Sequence, residues 1–158
     1  MLITIHFAQT LDGRIATRNG DSQWIGGAES LRLAHELRAS HDAVLVGLGT
    51  IIADDPQLTT RLVDGPSPLR VVADSRLRIP ATAKVLQDGA APTIIVTTDR
   101  APEDRRHELR RLGVEVAVVG HDPEGHVKVE HLARVLAGRG IRSLLVEGGA
   151  GMITSMLR

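Results

Sequence analysis

The 158-residue sequence contains no cysteine, which excludes a disulfide framework, a thiol nucleophile and a thiolate-bound metal. It has one Trp, one Phe and no Tyr, so it cannot build the stacking platform of a single-strand nucleic-acid binder. It also has no net charge, with 19 basic against 19 acidic residues, and so lacks the electrostatic attraction of a nucleic-acid or membrane-surface protein. No apolar run approaches the roughly 20 residues that span a bilayer. The opening Met1–His6 lacks the basic flank and long apolar core of a signal peptide, and a cytoplasmic location is expected. Lysine is nearly missing, only Lys84 and Lys128 occurring among the 19 basic residues, which reads as a compositional habit of the source.

What is present describes one well-cored globular domain, residues 1–158, with 42% hydrophobic residues. β-branched and apolar stretches at Leu2–Ala8, Ala43–Val46, Arg70–Ala73, Thr93–Thr97, Val114–Val119 and Ser143–Val146 read as strands. Between them, Glu29–Ala39 places Leu31, Ala34 and Leu37 on one helical side, with Arg38 near the edge of that stripe. Pro102–Leu112, stopped by Gly113, and Val129–Ala137, stopped by Gly138 and Gly140, read as further helices. Alternation of this kind predicts a three-layer α/β/α domain with a mostly parallel sheet.

Two stretches carry chemistry. Val46–Arg61 leaves a buried strand at Gly47 and Gly49, passes Thr50 and the acidic pair Asp54-Asp55 before Pro56, and ends on Arg61, an order that suits a phosphorylated ligand. Leu144–Val146 delivers Glu147 and then Gly148-Gly149-Ala150-Gly151 ahead of an apolar helical segment from Met152 to Leu157. Glycines between a strand and a helix leave N–H groups free to hold a phosphate. Neither stretch has the G-x-G-x-x-G spacing of an ordinary dinucleotide fold. His121, His126 and His131 with Asp122 and Glu124 form no ligand pair at helical spacing; Asp122–Gly125 is a turn signature, and no metal is expected.

Thr10–Ala16 (TLDGRIA), Ser22–Ile25 (SQWI), Leu37–Ala39 (LRA), Val46–Thr50 (VGLGT), Ala53–Thr59 (ADDPQLT) and Leu145–Gly149 (LVEGG), in that order, resemble the riboflavin-biosynthesis reductases. That family is the C-terminal half of the bifunctional pyrimidine deaminase/reductase and a relative of dihydrofolate reductase. The resemblance covers the whole chain. It implies a dihydrofolate-reductase-like fold and NADPH-dependent reduction of the ribosylamino sugar of 5-amino-6-(5-phosphoribosylamino)uracil to the ribitylamino product. Hydride would go to the anomeric carbon with no metal and no protein nucleophile. Alternatives are the same reduction on the undeaminated 2,5-diamino-6-ribosylamino-pyrimidinone 5′-phosphate, or a non-catalytic nucleotide-binding module.

By the same resemblance, Ser22, Arg38, Leu58, Arg61 and Glu147 are substrate positions, the two arginines being suited to phosphate by their bidentate fork. Ala8, Trp24, Thr50, Asp54, Ser75, Gly149, Ala150, Gly151, Met152, Ile153, Thr154 and Ser155 are cofactor positions. Glu147 and Asp55 are candidates for orienting sugar hydroxyls or handling the proton. His6 stands where many bifunctional members carry lysine, which makes any cationic role there titratable. The family implies a homodimer acting on a small phosphorylated pyrimidine. It generally continues through further strands beyond the position of Arg158, so the fold is expected to lack the family's last strands. The cysteine-dependent deaminase half has no counterpart here.

Overall fold

The computed structural model describes residues 1–18, 22 and 25–158. Its elements alternate: β1 (Leu2–Ile5), α1 (Ala28–Ser40), β2 (Ala43–Gly47), α2 (Leu48–Asp54), β3 (Leu69–Ala73), α3 (Lys84–Gln87), β4 (Thr93–Thr98), α4 (Glu103–Arg111), β5 (Glu115–Val119), α5 (Val129–Ala137), β6 (Ser143–Gly148) and α6 (Ala150–Leu157). The six strands form one sheet in the order β1-β6-β2-β3-β4-β5, and every pairing is parallel. A parallel sheet must be covered on both faces, which is why β2 and β4 read as almost unbroken β-branched and apolar runs. Val44, Leu45, Val46, Ile94, Ile95 and Val96 are all fully buried.

Strand alternation divides the core into two layers. Val44, Val46, Val72, Ile95 and Leu145 face one side, packed with Leu48 and Ile51 of α2, Val85 of α3, Leu109 of α4 and the partly buried Leu37 of α1. Leu45, Val71, Ile94, Val96, Leu144 and Val146 face the other, against Leu132 and Leu136 of α5 and Met152 and Met156 of α6. The expected three layers are therefore present. The chain winds from β2 to β5 in one direction and then crosses back through α5, inserting β6 between β1 and β2. The strand order reverses at that point, and such switch points leave a crevice beyond the carboxyl ends of the strands.

Several elements differ from the sequence expectation. Strand β1 ends at Ile5, three residues before Ala8. Leu31 is not in the buried stripe of α1: it is 54% exposed, and the helix buries Ala34 and His35. The turn expected at Gly47 and Gly49 is the start of a seven-residue helix, α2, capped by Gly47. Only the apolar Leu48 and Ile51 anchor that helix, too few to show a period in the sequence.

Candidate functional site

A cleft of about 920 Å3 opens at the carboxyl edge of the sheet over β6 and its neighbours. This is the size of small-molecule and cofactor sites. His6 and Ala8 enter it after β1, Gly47, Thr50 and Asp54 from the β2–α2 unit, Ser75 after β3, and Glu147 with Gly149–Ser155 from β6 and α6. Ser22 lines it as well. Thus Ala8, Thr50, Asp54, Ser75, Gly149, Ala150, Gly151, Met152, Ile153, Thr154 and Ser155, the described members of the expected cofactor set, share one cavity. Trp24 lies outside the described residues.

The backbone is the main wall of this cleft. A Cβ on Gly149 would lie 3.3 Å from Thr50 Oγ1, and one on Gly47 would lie 3.7 Å from Met152 Cβ. The contact at Gly149 is tight enough that glycine there eases the approach of α6 to α2, whereas a side chain at Gly47 would make only an ordinary contact. Gly148 has φ +132, a conformation that side chains rarely adopt. Helix α6 is capped by Gly149 with no side-chain cap bond, and its first residues Ala150, Gly151 and Met152 face the cleft. Their N–H groups suit an anionic ligand, so the donor chemistry fits the pyrophosphate of a dinucleotide.

Glu147 joins this cleft to a second group of residues. The pairing of β6 with β2 runs Leu45 to Val146 and then Val46 to Gly148, so Glu147 falls at a bulge with no partner in β2. Bulges commonly re-aim a side chain. Alternation places Leu145 on the α1 side of the sheet, and Glu147, two residues on, follows it there. Its Oε1 and Oε2 accept from Arg38 Nε at 2.7 Å and Nη2 at 2.6 Å, with only 11% of the Arg38 and 10% of the Glu147 side chain exposed. Arg38 Nη1 also donates to the Thr59 carbonyl at 3.1 Å. Among the described residues these contacts engage three of the five guanidinium donors.

Arg61 stands beside this pair, its Nη1 donating to Thr59 Oγ1 at 2.6 Å. Desolvation, and then the adjacent Arg38, hold its guanidinium below the ordinary arginine value, as like charges do when placed side by side. Such a pair favours an anion between or above it. Leu58 behaves differently from its expectation as a substrate contact. Its side chain is core, 2% exposed, and its backbone takes φ +55, so only its main chain can face a ligand.

Asp55, expected as a possible acid near the sugar, does not line the cleft. It ends α2 in the left-handed conformation, and its Oδ1 accepts from the Lys84 N–H at 2.9 Å while Oδ2 lies 3.6 Å from Lys84 Nζ. The local reason is the helix that the sequence reading missed: α2 makes Asp54 its last residue and Asp55 its cap, which turns the two carboxylates apart. Of the three C-terminal histidines, His121 Nδ1 meets the Asp122 carbonyl, His126 Nδ1 lies 3.4 Å from Asp122 Oδ2, and His131 Nδ1 accepts the Gly120 N–H.

Several residues at the site were not singled out from the sequence. Asp74 is 1% exposed and lines the cleft, its carboxylate accepting from Arg76 N–H and Ile79 N–H. His35 is equally buried, and its Nδ1 accepts the Arg61 N–H at 2.9 Å. Burial first, then Arg38 and Arg61, push its imidazole below the ordinary 6.5 against the opposing pull of Glu147. Its place three residues before Arg38 was the available signal, since that spacing puts both on one helix face.

An all-parallel α/β domain with a cofactor-sized, glycine-walled cleft at the switch point of its sheet has the architecture in which α/β proteins commonly hold small ligands. Comparison with known proteins narrows the class: the chain belongs to the RibD C-terminal domain family, whose model matches residues 1–158. It is 42% identical to the riboflavin biosynthesis protein RibD of Bacillus amyloliquefaciens, across 99% of this chain and 42% of that protein. It is 45% identical to the 2,5-diamino-6-ribosylamino-4(3H)-pyrimidinone 5′-phosphate reductase of Methanothermobacter thermautotrophicus, across 98% of this chain and 70% of that protein. Among solved structures it superimposes on the diaminohydroxyphosphoribosylaminopyrimidine deaminase/5-amino-6-(5-phosphoribosylamino)uracil reductase of Thermotoga maritima. The TM-score is 0.79 at 35% identity, over 99% of this chain and 41% of that one. The chain thus spans less than half of the bifunctional relatives it matches.

Proposed function

We propose that this chain is an NADPH-dependent reductase of riboflavin biosynthesis that converts the ribosylamino group of 5-amino-6-(5-phosphoribosylamino)uracil to the ribitylamino product. The observation that carries the reading is the single cleft in which Thr50, Asp54, Ser75 and Gly149–Ser155 meet, with Glu147 linking it to Arg38. A nicotinamide bound there supplies a hydride. Thr50 and the start of α6 would hold the cofactor, the uncapped first-turn N–H groups being suited to its phosphates. Arg38 and Arg61 take the substrate's 5′-phosphate.

Glu147, gripped by Arg38 through both carboxylate oxygens, orients the sugar hydroxyls next to the cleft in this reading. As the substrate's anomeric carbon gains a hydride, its bond to the ring oxygen breaks, and that oxygen takes up a proton to become a ribityl hydroxyl. His6 lines the cleft, its main-chain N–H bonded to the Val146 carbonyl at 3.0 Å, and in this reading its imidazole manages that proton. The reading extends to a cytoplasmic homodimer. Light scattering on the purified protein checks the dimer; the apolar edge strand β1, with Leu2 63% and Ile3 42% exposed, is consistent with a covered surface.

Calorimetric titration tests cofactor choice: NADPH is expected to bind at least about tenfold more tightly than NADH, a difference of about 1.4 kcal/mol. Binding of neither overturns the reading. The 45% identity to the archaeal reductase favours a second substrate, the undeaminated diaminopyrimidinone, for the same hydride transfer. Turnover rates on the two pyrimidines separate them.

A further inference from the structure

His35 is a buried titratable residue for which the reaction outlined above has no use. It lies on α1 one turn before Arg38, and an apolar side chain would serve packing there. Instead its Nδ1 accepts the main-chain N–H of Arg61 at 2.9 Å, which requires that Nδ1 carry no proton. Arg38, from the same helix face, grips the Thr59 carbonyl in the same segment. The next anchor upstream is Arg70 Nη1, which donates to the Gln57 carbonyl at 3.2 Å. Between these anchors Leu58 is held at φ +55, a conformation that costs a non-glycine residue about 1–3 kcal/mol and persists only where its surroundings over-determine it. The segment ending in Arg61 is therefore pinned at both ends; downstream, the Thr60 N–H and hydroxyl bond Ser67 Oγ and the Pro66 carbonyl, and His35 holds Arg61 itself.

We propose that His35 is the positioning residue of the phosphate subsite: its neutral imidazole fixes the Arg61 main chain and so aims the Arg38 and Arg61 guanidinium groups together, and its protonation releases that grip. The proposal rests on the reading of the two arginines as phosphate ligands. The charged groups facing His35 are Arg38 on its own helix, Arg61 on the facing segment and Glu147 on β6. Two cations against one anion in a buried setting oppose a third positive charge. A proton on Nδ1 would also set a donor against the Arg61 N–H, where an acceptor is needed. The subsite should thus lose its grip on the acid side of neutrality.

The test compares the wild-type protein with H35N, whose amide oxygen can replace Nδ1 as an acceptor but does not titrate, and with H35L, which has no acceptor. Affinities for ribose 5-phosphate and for ribose are measured by calorimetry at about pH 8 and then in steps down to about pH 4.5, because the imidazole is held below its ordinary 6.5 and takes its proton only in that lower range. At the higher pH, H35L is expected to lose about tenfold in ribose 5-phosphate affinity, the scale of one lost hydrogen bond to a charged group, with H35N within about threefold of wild type. The phosphate's own protonation weakens all three proteins at low pH, so the second readout is the extra fall in wild type over H35N. In turnover, H35L should raise KM for the phosphorylated pyrimidine and leave kcat nearly unchanged. A preference for ribose 5-phosphate over ribose that survives in H35L, or an acid fall that H35N shares in full, overturns the proposal alone. A wild-type protein that binds the two sugars equally overturns the arginine reading and the proposal with it. Should H35L not fold, the pH comparison of wild type with H35N decides by itself.

Discussion

Replacing Arg38 by methionine leaves Glu147 as a carboxylate with 10% of its side chain exposed and no cation in contact. The two hydrogen bonds lost, at 2.7 and 2.6 Å, are charge-assisted, and breaking a buried pair from one side costs about 3–5 kcal/mol. The loss of the bond to the Thr59 carbonyl adds to this, while the site's opening onto the cleft lets water reach Glu147 and reduces it; about 3 kcal/mol is a reasonable net figure. With a urea m-value of about 2 kcal/mol/M for a domain of this size, the midpoint should fall by about 1.5 M. Adding Glu147→Leu removes the stranded charge, and the double variant should recover at least half of the lost stability. Activity should not recover, because both groups proposed to face the substrate are gone. Urea denaturation followed by circular dichroism, with nicotinamide oxidation on the same preparations, reads both quantities. An R38M midpoint within experimental error of wild type, or a double variant less stable than R38M, would refute the reasoning that the pair is a buried, mutually dependent unit.

Other consequences are more local. Gly148→Ala should lower stability by about 1–2 kcal/mol, because φ +132 is closed to alanine, and weaken cofactor affinity as the Gly148–Gly149 wall shifts; thermal unfolding and calorimetry read the two effects. Arg70→Met should cost about 3–5 kcal/mol in urea, since Arg70 is 1% exposed and its guanidinium pairs with Asp88 while also holding the Gln57 and Ala91 carbonyls. Asp42 gives a pH signature. Its carboxylate accepts the Arg142 and Ser143 N–H groups at 2.8 and 2.9 Å, and these bonds, then that of the Ser143 hydroxyl, hold it below the ordinary 3.8. A group depressed in the folded state stabilises fully above 3.8 and loses that contribution as pH falls toward its folded value, so Asp42→Asn should flatten the acid limb of the stability curve in that window.

The strands and the order of layers were legible because a sheet buried on both faces writes itself as continuous apolar and β-branched runs, as at Ala43–Val46 and Thr93–Thr97. The glycine junction after Glu147 was legible for a similar reason: a strand followed at once by glycines and an apolar helix has few other uses. Helix α2 was not legible, since seven residues with two buried anchors give no period, and with it went the assignment of Asp55. Leu31 shows the opposite failure, an apolar residue at the right spacing that faces outward because α1 turns Ala34 and His35 inward instead. The pairing of Arg38 with Glu147 joins residues 109 positions apart, and no local pattern encodes a contact of that separation. His35 was hidden for a different reason: a lone histidine in a helix looks the same whether it packs, titrates or pins a loop, and only the Arg61 N–H identifies which.

The most direct test is turnover by the full-length protein with NADPH and the two phosphorylated ribosylaminopyrimidines, deaminated and undeaminated, followed by the absorbance of the reduced nicotinamide. Loss of that absorbance with at least one of them, and none with the dephosphorylated counterparts at equal concentration, is the predicted result. Cofactor binding with no oxidation on either substrate would contradict the assignment and leave a nucleotide-binding module in its place.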